Sequence, residues 1–385
     1  MIKRAMETIV RQRATEFPVV TIIGPRQSGK TTLVRSCFRD YAYANLEDPE
    51  TRELAESDYH RFLSMYPAPV IVDEIQNVPK LASAIQVLVD KDRQKCGQYI
   101  LTGSHQPLLK EAVTQSLAGR NAFLTLLPLS FAEIKSSQES VDLSQDGLML
   151  RGCMPELVTS RVEASIYYKN YFQTYLERDV RKIANIKNIS AFRRFATLLA
   201  GRVGQLLNMN SLSGEVGVSH TTLSGWLDVL EASFIVFRLQ PYFANIGKRL
   251  VKTPKLYFSE TALAACLLGI KTKEQMSRDP LRGQLFENLV VSNLMKQSFN
   301  ADSEGELFFF RTTNGDEVDI LRKTANGMQP VEIKSSTTWS KSLADGIRKY
   351  SKMSAEAVEP TVVYGGASCP QGSDGISACN YLDFA

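Results

Sequence analysis

The strongest constraint on this chain is the segment GPRQSGKT at residues 24–31, which follows an apolar run at 18–23 and precedes a helix-like run at 31–37. Glycines at both ends let the backbone bend tightly and turn its N–H groups inward, so that the loop and the next helix can hold phosphate groups. The spacing is that of a P-loop, and a strand before it and a helix after it are the required context. The segment predicts a nucleoside-triphosphate site, against the alternative of a glycine-rich turn that matches by chance.

The residue types of this loop suit the parts of a magnesium-bound triphosphate. Lys30 supplies a mobile positive charge to the β- and γ-phosphates, and Thr31 can place its hydroxyl on Mg²⁺. The other residues expected to surround the nucleotide are Gly24, Pro25, Arg26, Gln27, Ser28, Gly29 and Thr32. The chain has no Asn-Lys-x-Asp or Thr-Lys-x-Asp segment for a guanine base. We therefore expect ATP and Mg²⁺ as ligands rather than GTP.

A short apolar strand at 69–72 ends in two carboxylates, Asp73 and Glu74. A triphosphatase needs both beside its P-loop, since Asp73 can hold Mg²⁺ through its water shell while Glu74 orients and polarises the attacking water. The alternative is a pair of solvated strand-end acids. After the next buried strand, Ser104 is the candidate for sensing the γ-phosphate and the water, and Thr102 is the competing candidate.

Arg120 has two interpretations. It can reach the transition-state charge as an arginine finger, either within its own chain or from a neighbouring copy. It can equally form a structural salt bridge. The sequence does not choose between these roles.

Composition excludes several classes of protein. With 385 residues, 44% of them hydrophobic and 22% charged, the chain is typical of a soluble protein of two to four domains. No apolar stretch approaches the roughly twenty residues that cross a bilayer, and residues 1–17 lack the apolar centre of a signal peptide. The six cysteines and three histidines show no paired metal spacing. We expect a cytoplasmic protein with no membrane partner and no zinc site.

Strand and helix signals divide the chain into four predicted domains. Residues 1–147 form an ATPase domain, 148–188 a helical lid or linker, 189–258 a winged helix and 259–385 a second α/β domain. Residues 151–258 hold 15 basic and 7 acidic side chains, which makes this the basic part of the chain. If the protein has DNA as a partner, the contact is expected there; the alternative is a solvated basic face.

The pattern of residues 190–258 is that of helices followed by strands. Helices are predicted at 190–207, 211–216 and 221–231, and strands at 234–239 and 255–258. This layout resembles a winged helix. Winged helices contact DNA, but they also serve as protein-docking or dimer modules, so both interpretations stay open. The segment before it, from 151 to 186, is predicted to be helical.

The last third reads helix, three strands, helix and strand, and it holds a second group of polar residues. Alternation along a strand places Glu332 and Lys334 on one face, while Asp319 comes from the neighbouring strand. Two acids can bind Mg²⁺ or Mn²⁺, and the ammonium can stabilise a pentavalent phosphate, which suits phosphodiester hydrolysis. Glu287 on the preceding helix would complete the metal shell, and Glu317 adds negative charge.

At this point the whole chain resembles a family of bacterial and archaeal AAA-class ATPases that carry a C-terminal restriction-endonuclease-like domain of the PD-(D/E)xK type. The segments that carry the resemblance are 24–31, 70–74, 102–104, 117–120, 175–179, 283–287, 317–319 and 331–335. Val318 stands where the family motif has proline, which leaves the acid that bears the chemistry in place. Many nuclease-like domains of this class have lost cleavage, so the resemblance implies a fold and leaves the activity open.

The resulting prediction is an α/β protein: a P-loop ATPase parallel sheet with helices on both faces, a helical and winged-helix segment, and an αβββαβ restriction-endonuclease-like domain. One function consistent with it is an ATPase that couples nucleotide state to the binding or processing of nucleic acid. The other is a nucleotide-controlled switch or protein-interaction module whose nuclease-like fold is inert. AAA-class ATPases often assemble into rings, so a homo-oligomer is an expectation from the resemblance.

Overall fold

The computed structural model describes residues 2–104, 116–176, 188–242, 250–303, 306–354, 357–369 and 375–384. The chain divides into two compact units. The first unit comprises residues 1–129, 232–234 and 298–303, and the second comprises 130–231, 235–297 and 304–385. The four domain boundaries drawn from the sequence stay a prediction.

The first unit alternates helices with short strands. In chain order its elements are α1 (Glu7–Glu16), β1 (Val19–Ile23), α2 (Lys30–Cys37), β2 (Ala42–Asn45), α3 (Pro49–Ser57), α4 (Tyr59–Met65), β3 (Val70–Asp73), a 3₁₀ turn (Ile75–Asn77), α5 (Leu81–Val89), β4 (Tyr99–Gly103) and β5 (Asn121–Thr125). Local signals account for several helix starts: the Asp48 side chain accepts the Thr51 N–H at 2.9 Å, and Pro49 fills the first helical position of α3.

The five strands form a parallel sheet in the order β2-β3-β4-β1-β5. Every residue of β1 is buried, because both faces of the sheet are covered. Val19 and Ile23 belong to the hydrophobic core on one face, whereas Val20 and Ile22 belong to the core on the other. The predicted parallel sheet with helices on both faces is confirmed. Ligands bind such sheets at the carboxyl edge of the strands, and this is the edge from which the P-loop leaves β1.

The second unit begins with helices and a two-stranded sheet. Its elements up to residue 258 are α6 (Phe131–Ser136), α7 (Gln145–Arg151), α8 (Pro155–Thr159), α9 (Ala164–Tyr175), α10 (Ile189–Ala200), α11 (Met209–Val216), α12 (His220–Ala232), β6 (Val236–Leu239) and β7 (Lys255–Phe258). Strands β6 and β7 are antiparallel. The helices and strands predicted at 190–258 are present, although α10 ends at Ala200 and the chain then turns through Gly204 at φ +72°.

The predicted helical stretch from 151 to 186 is interrupted in its first part. The interruption lies at Gly152, where φ is +74° and a Cβ would stand 2.2 Å from the Tyr168 hydroxyl. A side chain has no room there, so helix α7 ends and the chain restarts at Pro155. Residues 177–187, which complete the predicted stretch and include part of the 175–179 motif, lie outside the described residues.

The rest of the second unit is a mixed sheet with helices. Its elements are α13 (Thr261–Leu267), α14 (Lys273–Arg278), α15 (Arg282–Asn300), β8 (Leu307–Arg311), β9 (Glu317–Thr324), β10 (Gly327–Lys334), a 3₁₀ turn (Lys341–Ala344), α16 (Asp345–Met353), β11 (Thr361–Tyr364) and β12 (Ser377–Asn380). The strand order is β12-β11-β10-β9-β8, antiparallel from β8 to β10 and parallel from β10 to β12. The predicted order of one helix, three strands, a helix and a strand is present, with β12 added at the edge. Over the described ranges, none of the helices is long and apolar enough to span a membrane.

Candidate nucleotide site and the second acidic cluster

The P-loop joins the carboxyl end of β1 to the start of α2, and its backbone conformation depends on glycine. Gly24 has φ +153°, and a Cβ there would lie 2.1 Å from the Leu126 carbonyl oxygen. Gly29 precedes α2 in a left-handed conformation, with φ +93°. A side chain at Gly24 would collide with the backbone, so this turn explains the first glycine of the motif.

Lys30 folds back onto its own loop. Its Nζ donates hydrogen bonds to the carbonyl oxygens of Gly24 at 3.0 Å and Pro25 at 2.8 Å. Only 5% of the residue is exposed, and this burial lowers the pKa of the ammonium to about 8, although the charges of Glu74 and Asp73 act in the opposite direction. The lysine therefore lies inside the P-loop turn, where two neutral carbonyl oxygens hold its ammonium.

Ser28 and Arg4 add two features to the same loop. The Ser28 hydroxyl is buried and has no hydrogen-bond partner, an arrangement that a phosphate oxygen would satisfy. The Arg4 guanidinium is also buried and donates to the carbonyl oxygens of Ser28 and Leu127, each at 2.7 Å. Sequence reasoning missed Arg4, since nothing in the N-terminal helix signals a contact with a loop more than twenty residues away.

Asp73 accepts hydrogen bonds from three hydroxyl groups. Thr31 and Tyr43 each donate to Oδ2 at 2.8 Å, and Thr102 donates to Oδ1. Only 4% of Asp73 is exposed, so its orientation is fixed by these three donors. The predicted neighbours Thr31 and Asp73 are thus brought together. Tyr43, on the adjacent strand β2, is a contact that the sequence did not reveal.

Glu74 lies one residue further on, in a left-handed conformation with φ 57° and ψ 46°. The Ser104 hydroxyl donates to its Oε1 at 2.6 Å, and the Gln76 side-chain amide donates to Oε2. Its own N–H donates to the Thr102 hydroxyl at 3.3 Å. Non-glycine residues rarely adopt this backbone region unless their surroundings require it, and here it turns the carboxylate away from Asp73 and toward Ser104.

The remaining predicted residues lie in several environments. Arg120 forms a two-point salt bridge with Asp90, at 2.6 and 3.0 Å, and donates to the Ala118 carbonyl oxygen at 2.9 Å. These contacts match the salt-bridge interpretation, and a finger role stays a prediction. At the P-loop, Arg26 lies 3.4 Å from Glu47, while Gln27 and Thr32 are exposed.

The acids predicted in the second unit also come together. Lys334 Nζ lies 3.1 Å from Asp319 Oδ2 and 2.5 Å from Glu332 Oε2. The Ile333 N–H donates to Asp319 at 2.8 Å. Burial and the nearby Asp319 charge raise the pKa of Glu332 to about 9. Burial also favours a higher pKa for Asp319, but the positive charges of Lys334 and Lys255 outweigh it, so the pKa of that carboxyl is lowered.

Glu287, the acid predicted to complete a metal shell, is held differently from that expectation. Its Oε1 accepts a hydrogen bond from the Tyr257 hydroxyl at 2.6 Å and lies 3.0 Å from Lys255 Nζ. Lys255 is 2% exposed and also contacts Glu317 Oε1 at 2.6 Å. Within the ranges that the structure describes, no group of three or more acids, histidines or cysteines is arranged to hold a metal ion. The charged group beside Glu287 is therefore the Lys255 ammonium.

Comparison with known proteins assigns the class. Residues 16–135 match the model of an AAA domain, so the first unit contains a P-loop ATPase domain of the AAA class. Residues 143–274 and 282–384 match two domains of unknown function, DUF8612 and DUF4143.

Relatives that match most of the chain define the family. The chain is 31% identical over 332 residues to the uncharacterised protein Rv2008c of Mycobacterium tuberculosis, a match that covers 86% of this chain and 73% of that protein. The chain belongs to the same family as Rv2008c. An uncharacterised protein of Haemophilus influenzae is 25% identical over 362 residues, with 85% of each chain covered. A solved Walker-type ATPase of Pyrococcus abyssi has a TM-score of 0.46 and 15% identity, covering 69% of this chain and 96% of that one.

Proposed function

We propose that the protein is a Mg²⁺-dependent ATP hydrolase whose site is the P-loop together with Asp73, Glu74 and Ser104. The observation that carries the proposal is the pair of neighbouring carboxylates with separate partners. Asp73 is bonded to the P-loop Thr31, and Glu74 is bonded to Ser104. These separate partners support assigning the cation to Asp73 and the attacking water to Glu74, the two tasks that triphosphate hydrolysis requires.

The residues of the loop fit a triphosphate. A buried Ser28 hydroxyl lacks a partner, and the close approach of Gly24 to the Leu126 backbone gives the loop the tight turn that a phosphate-binding loop requires. The Lys30 ammonium has two carbonyl acceptors, neutral groups that a phosphate oxygen would outcompete because it carries a formal negative charge opposite to that of the ammonium. These features support phosphate binding at the loop.

The mechanism assigns one role to each side chain. Lys30 binds the β- and γ-phosphate oxygens, and Thr31 and Asp73 would hold Mg²⁺, which when bound neutralises phosphate charge. Thr102 and Tyr43 keep the Asp73 carboxylate in one orientation through their hydroxyl groups. Glu74 orients and polarises the attacking water, and Ser104 holds Glu74 until the γ-phosphate is present.

Phosphate release and nucleotide binding measured on the same samples test this proposal. Lys30→Ala is expected to lose binding, whereas Glu74→Gln is expected to bind ATP and to turn it over at least a hundredfold more slowly. Glu56→Gln, a change at an exposed acid of helix α3, is the matched control and keeps the parent rate. Unchanged turnover in Glu74→Gln removes the role given to that residue.

We further propose that the nucleotide state controls binding of nucleic acid through residues 151–258. The support is the charge of this segment together with the three helices and two antiparallel strands within residues 189–258, which resemble a winged helix. Arg193 and Arg194 are exposed on α10. DNA should stimulate ATP turnover at low salt, and Arg193→Gln with Arg194→Gln should reduce both the stimulation and its salt dependence. The double change Lys91→Gln with Lys95→Gln, at two exposed lysines outside residues 151–258, is the control.

A second candidate is a nucleotide-controlled interaction module with an inert nuclease-like domain. The contacts of Glu287 favour it, because Lys255 and Tyr257 take the acid that nucleic-acid cleavage would assign to a metal. In this case DNA leaves ATP turnover unchanged at low salt, and no divalent-ion-dependent cleavage depends on Asp319 or Lys334. A light-scattering mass with and without ATP tests the homo-oligomer that both candidates allow.

A further inference from the structure

The acidic cluster of the second unit contains a buried lysine that the sequence did not suggest. Lys255 is the first residue of β7, and its Nζ lies 3.0 Å from Glu287 and 2.6 Å from Glu317. Only 2% of its side chain is exposed. A buried ammonium is costly unless acids pair with it. Here it has two carboxylates from two different elements, α15 and β9.

The partners of each carboxylate leave little for a metal ion. Glu287 Oε1 already accepts hydrogen bonds from the Lys255 ammonium and from the Tyr257 hydroxyl, the latter at 2.6 Å. One oxygen of Glu317 is paired with Lys255, and the other lies 2.9 Å from the Arg311 guanidinium. Each acid thus has a cation beside it before any ion arrives. The predicted shell in which Glu287 joins Asp319 and Glu332 around Mg²⁺ or Mn²⁺ does not fit these contacts.

The other half of the cluster is compensated in the same way. Lys334 lies 3.1 Å from Asp319 and 2.5 Å from Glu332. Gly346 packs so closely that a Cβ there would be 1.9 Å from Glu332 Oε1. Chain backbone therefore fills one side of that carboxylate, and lysine fills the other. A divalent ion would have to displace an ammonium at either position.

Backbone pairing keeps Lys255 in place. The Leu256 N–H donates to the Gln205 carbonyl oxygen at 3.1 Å, and the Gly204 N–H donates to the Leu256 carbonyl oxygen at 2.8 Å. Lys255 also pairs with Leu239 across the β6–β7 hairpin. These bonds fix the backbone at this end of β7, and with it the point from which the Lys255 side chain enters the cluster.

We infer that Lys255 is the resident cation of this cluster, and that Glu287, Glu317, Asp319 and Glu332 form with Lys255 and Lys334 a hydrogen-bonded network that binds no divalent metal. The lysine takes the place of the metal and ties the β6–β7 hairpin to α15 and β9. The inference rests on the nuclease-like likeness proposed above for its choice of residues. It requires no ATP chemistry, so its failure and that of the ATPase proposal are distinguishable.

Binding of Mn²⁺ to the full chain, followed by the electron paramagnetic resonance signal of the free ion, tests this inference. All samples carry Asp73→Asn, which silences the nucleotide site. In this background Glu287→Gln and Asp319→Asn should leave Mn²⁺ retention unchanged. Lys255→Met should gain about one Mn²⁺ per chain at submillimolar concentration, the gain should vanish in Lys255→Met with Glu287→Gln, and Lys255→Arg should gain none.

Retention of Mn²⁺ by the Asp73→Asn protein that falls tenfold or more with Glu287→Gln or Asp319→Asn overturns the inference. A folded Lys255→Met variant that gains no Mn²⁺ also overturns it, because the ammonium would then not be what excludes the ion. If Lys255→Met fails to fold, the comparison with Glu287→Gln and Asp319→Asn still decides, since those variants keep the lysine.

Discussion

The Tyr43 phenol donates a hydrogen bond of 2.8 Å to Oδ2 of Asp73, although the two residues are thirty positions apart. Parallel pairing of β2 with β3 brings them together, with Asn45 opposite Asp73. The same oxygen accepts the Thr31 hydroxyl. When Thr31 turns its oxygen toward a cation, Tyr43 remains on that side of the carboxylate, so we assign it as a positioning residue for Asp73.

Replacing Tyr43 by phenylalanine should therefore alter the use of Mg²⁺ more than the binding of ATP. A hydrogen bond to a charged group contributes about 1.5 kcal/mol or more, so the Mg²⁺ concentration for half-maximal turnover should rise roughly tenfold. Nucleotide affinity measured without Mg²⁺ should stay within about twofold. Tyr41→Phe, which changes a ring that packs on Phe38 at 4.8 Å, is the control. Equal losses in both measurements would show that Tyr43 acts only through stability.

Thr102 and Ser104 can be separated because they bind different acids. Ser104 donates to Glu74, so Ser104→Ala should lower the maximal turnover rate by about tenfold or more and leave the Mg²⁺ requirement unchanged.

Thr102→Val instead removes a buried donor from Asp73, which should cost roughly 1–3 kcal/mol of unfolding free energy. Denaturant melts and turnover against Mg²⁺ concentration measure both. If Thr102→Val alone slows turnover, the γ-phosphate sensor is Thr102.

The sequence predicted the parts of this site that lie next to one another along the chain. The glycine spacing of residues 24–31 predicts the P-loop turn. Asp73 and Glu74 stand at the end of an apolar strand, and in a parallel sheet that end lies at the same edge as the P-loop. Arg4 and Tyr43 could not be found in this way. Their contacts depend on the packing of α1 and on the β2–β3 register, which a single sequence does not determine.

The second unit shows the same limit. Asp319, Glu332 and Lys334 were predicted to converge because strand alternation fixes their faces, and the structure does bring them together. Lys255 was counted only as part of a basic segment. Its position beside Glu287 follows from the β6–β7 hairpin lying against α15 within this unit, a tertiary contact with no local signal. The metal shell that includes Glu287 stays a prediction, and the contact with Lys255 argues against it.

Lys30 should make the stability of the nucleotide-free protein depend on pH. Burial lowers its pKa from 10.5 to about 8, so the unfolded chain binds the proton more tightly than the folded one. The free energy of unfolding should therefore rise as pH increases from about 8 to 10.5, by an amount on the order of 3 kcal/mol. Lys30→Met should remove this rise and stabilise the protein at pH 7. Chemical denaturation at several pH values in that window measures the difference. A parent protein whose stability falls relative to Lys30→Met over the same range would contradict the burial of a charged lysine.

Arg120 offers the sharpest choice between a structural and a catalytic role. Its guanidinium contacts both carboxylate oxygens of Asp90, at 2.6 and 3.0 Å, with side-chain exposures of 18% and 37%. A partly exposed pair of this kind contributes little to stability because water screens it, so Arg120→Ala should lower the unfolding free energy only slightly and leave turnover nearly unchanged. The double variant Arg120→Asp with Asp90→Arg should restore the lost stability.

The double variant separates the two roles because it returns the salt bridge without returning an arginine at position 120. If Arg120 acts as a finger on a neighbouring copy, turnover should fall by 10³ or more in both Arg120→Ala and the double variant, and it should recover when Arg120→Ala is mixed with Lys30→Ala. That complementation pairs an intact nucleotide site on one copy with an intact arginine on the other. Normal turnover in both variants, with stability restored only in the double variant, assigns Arg120 to the salt bridge alone.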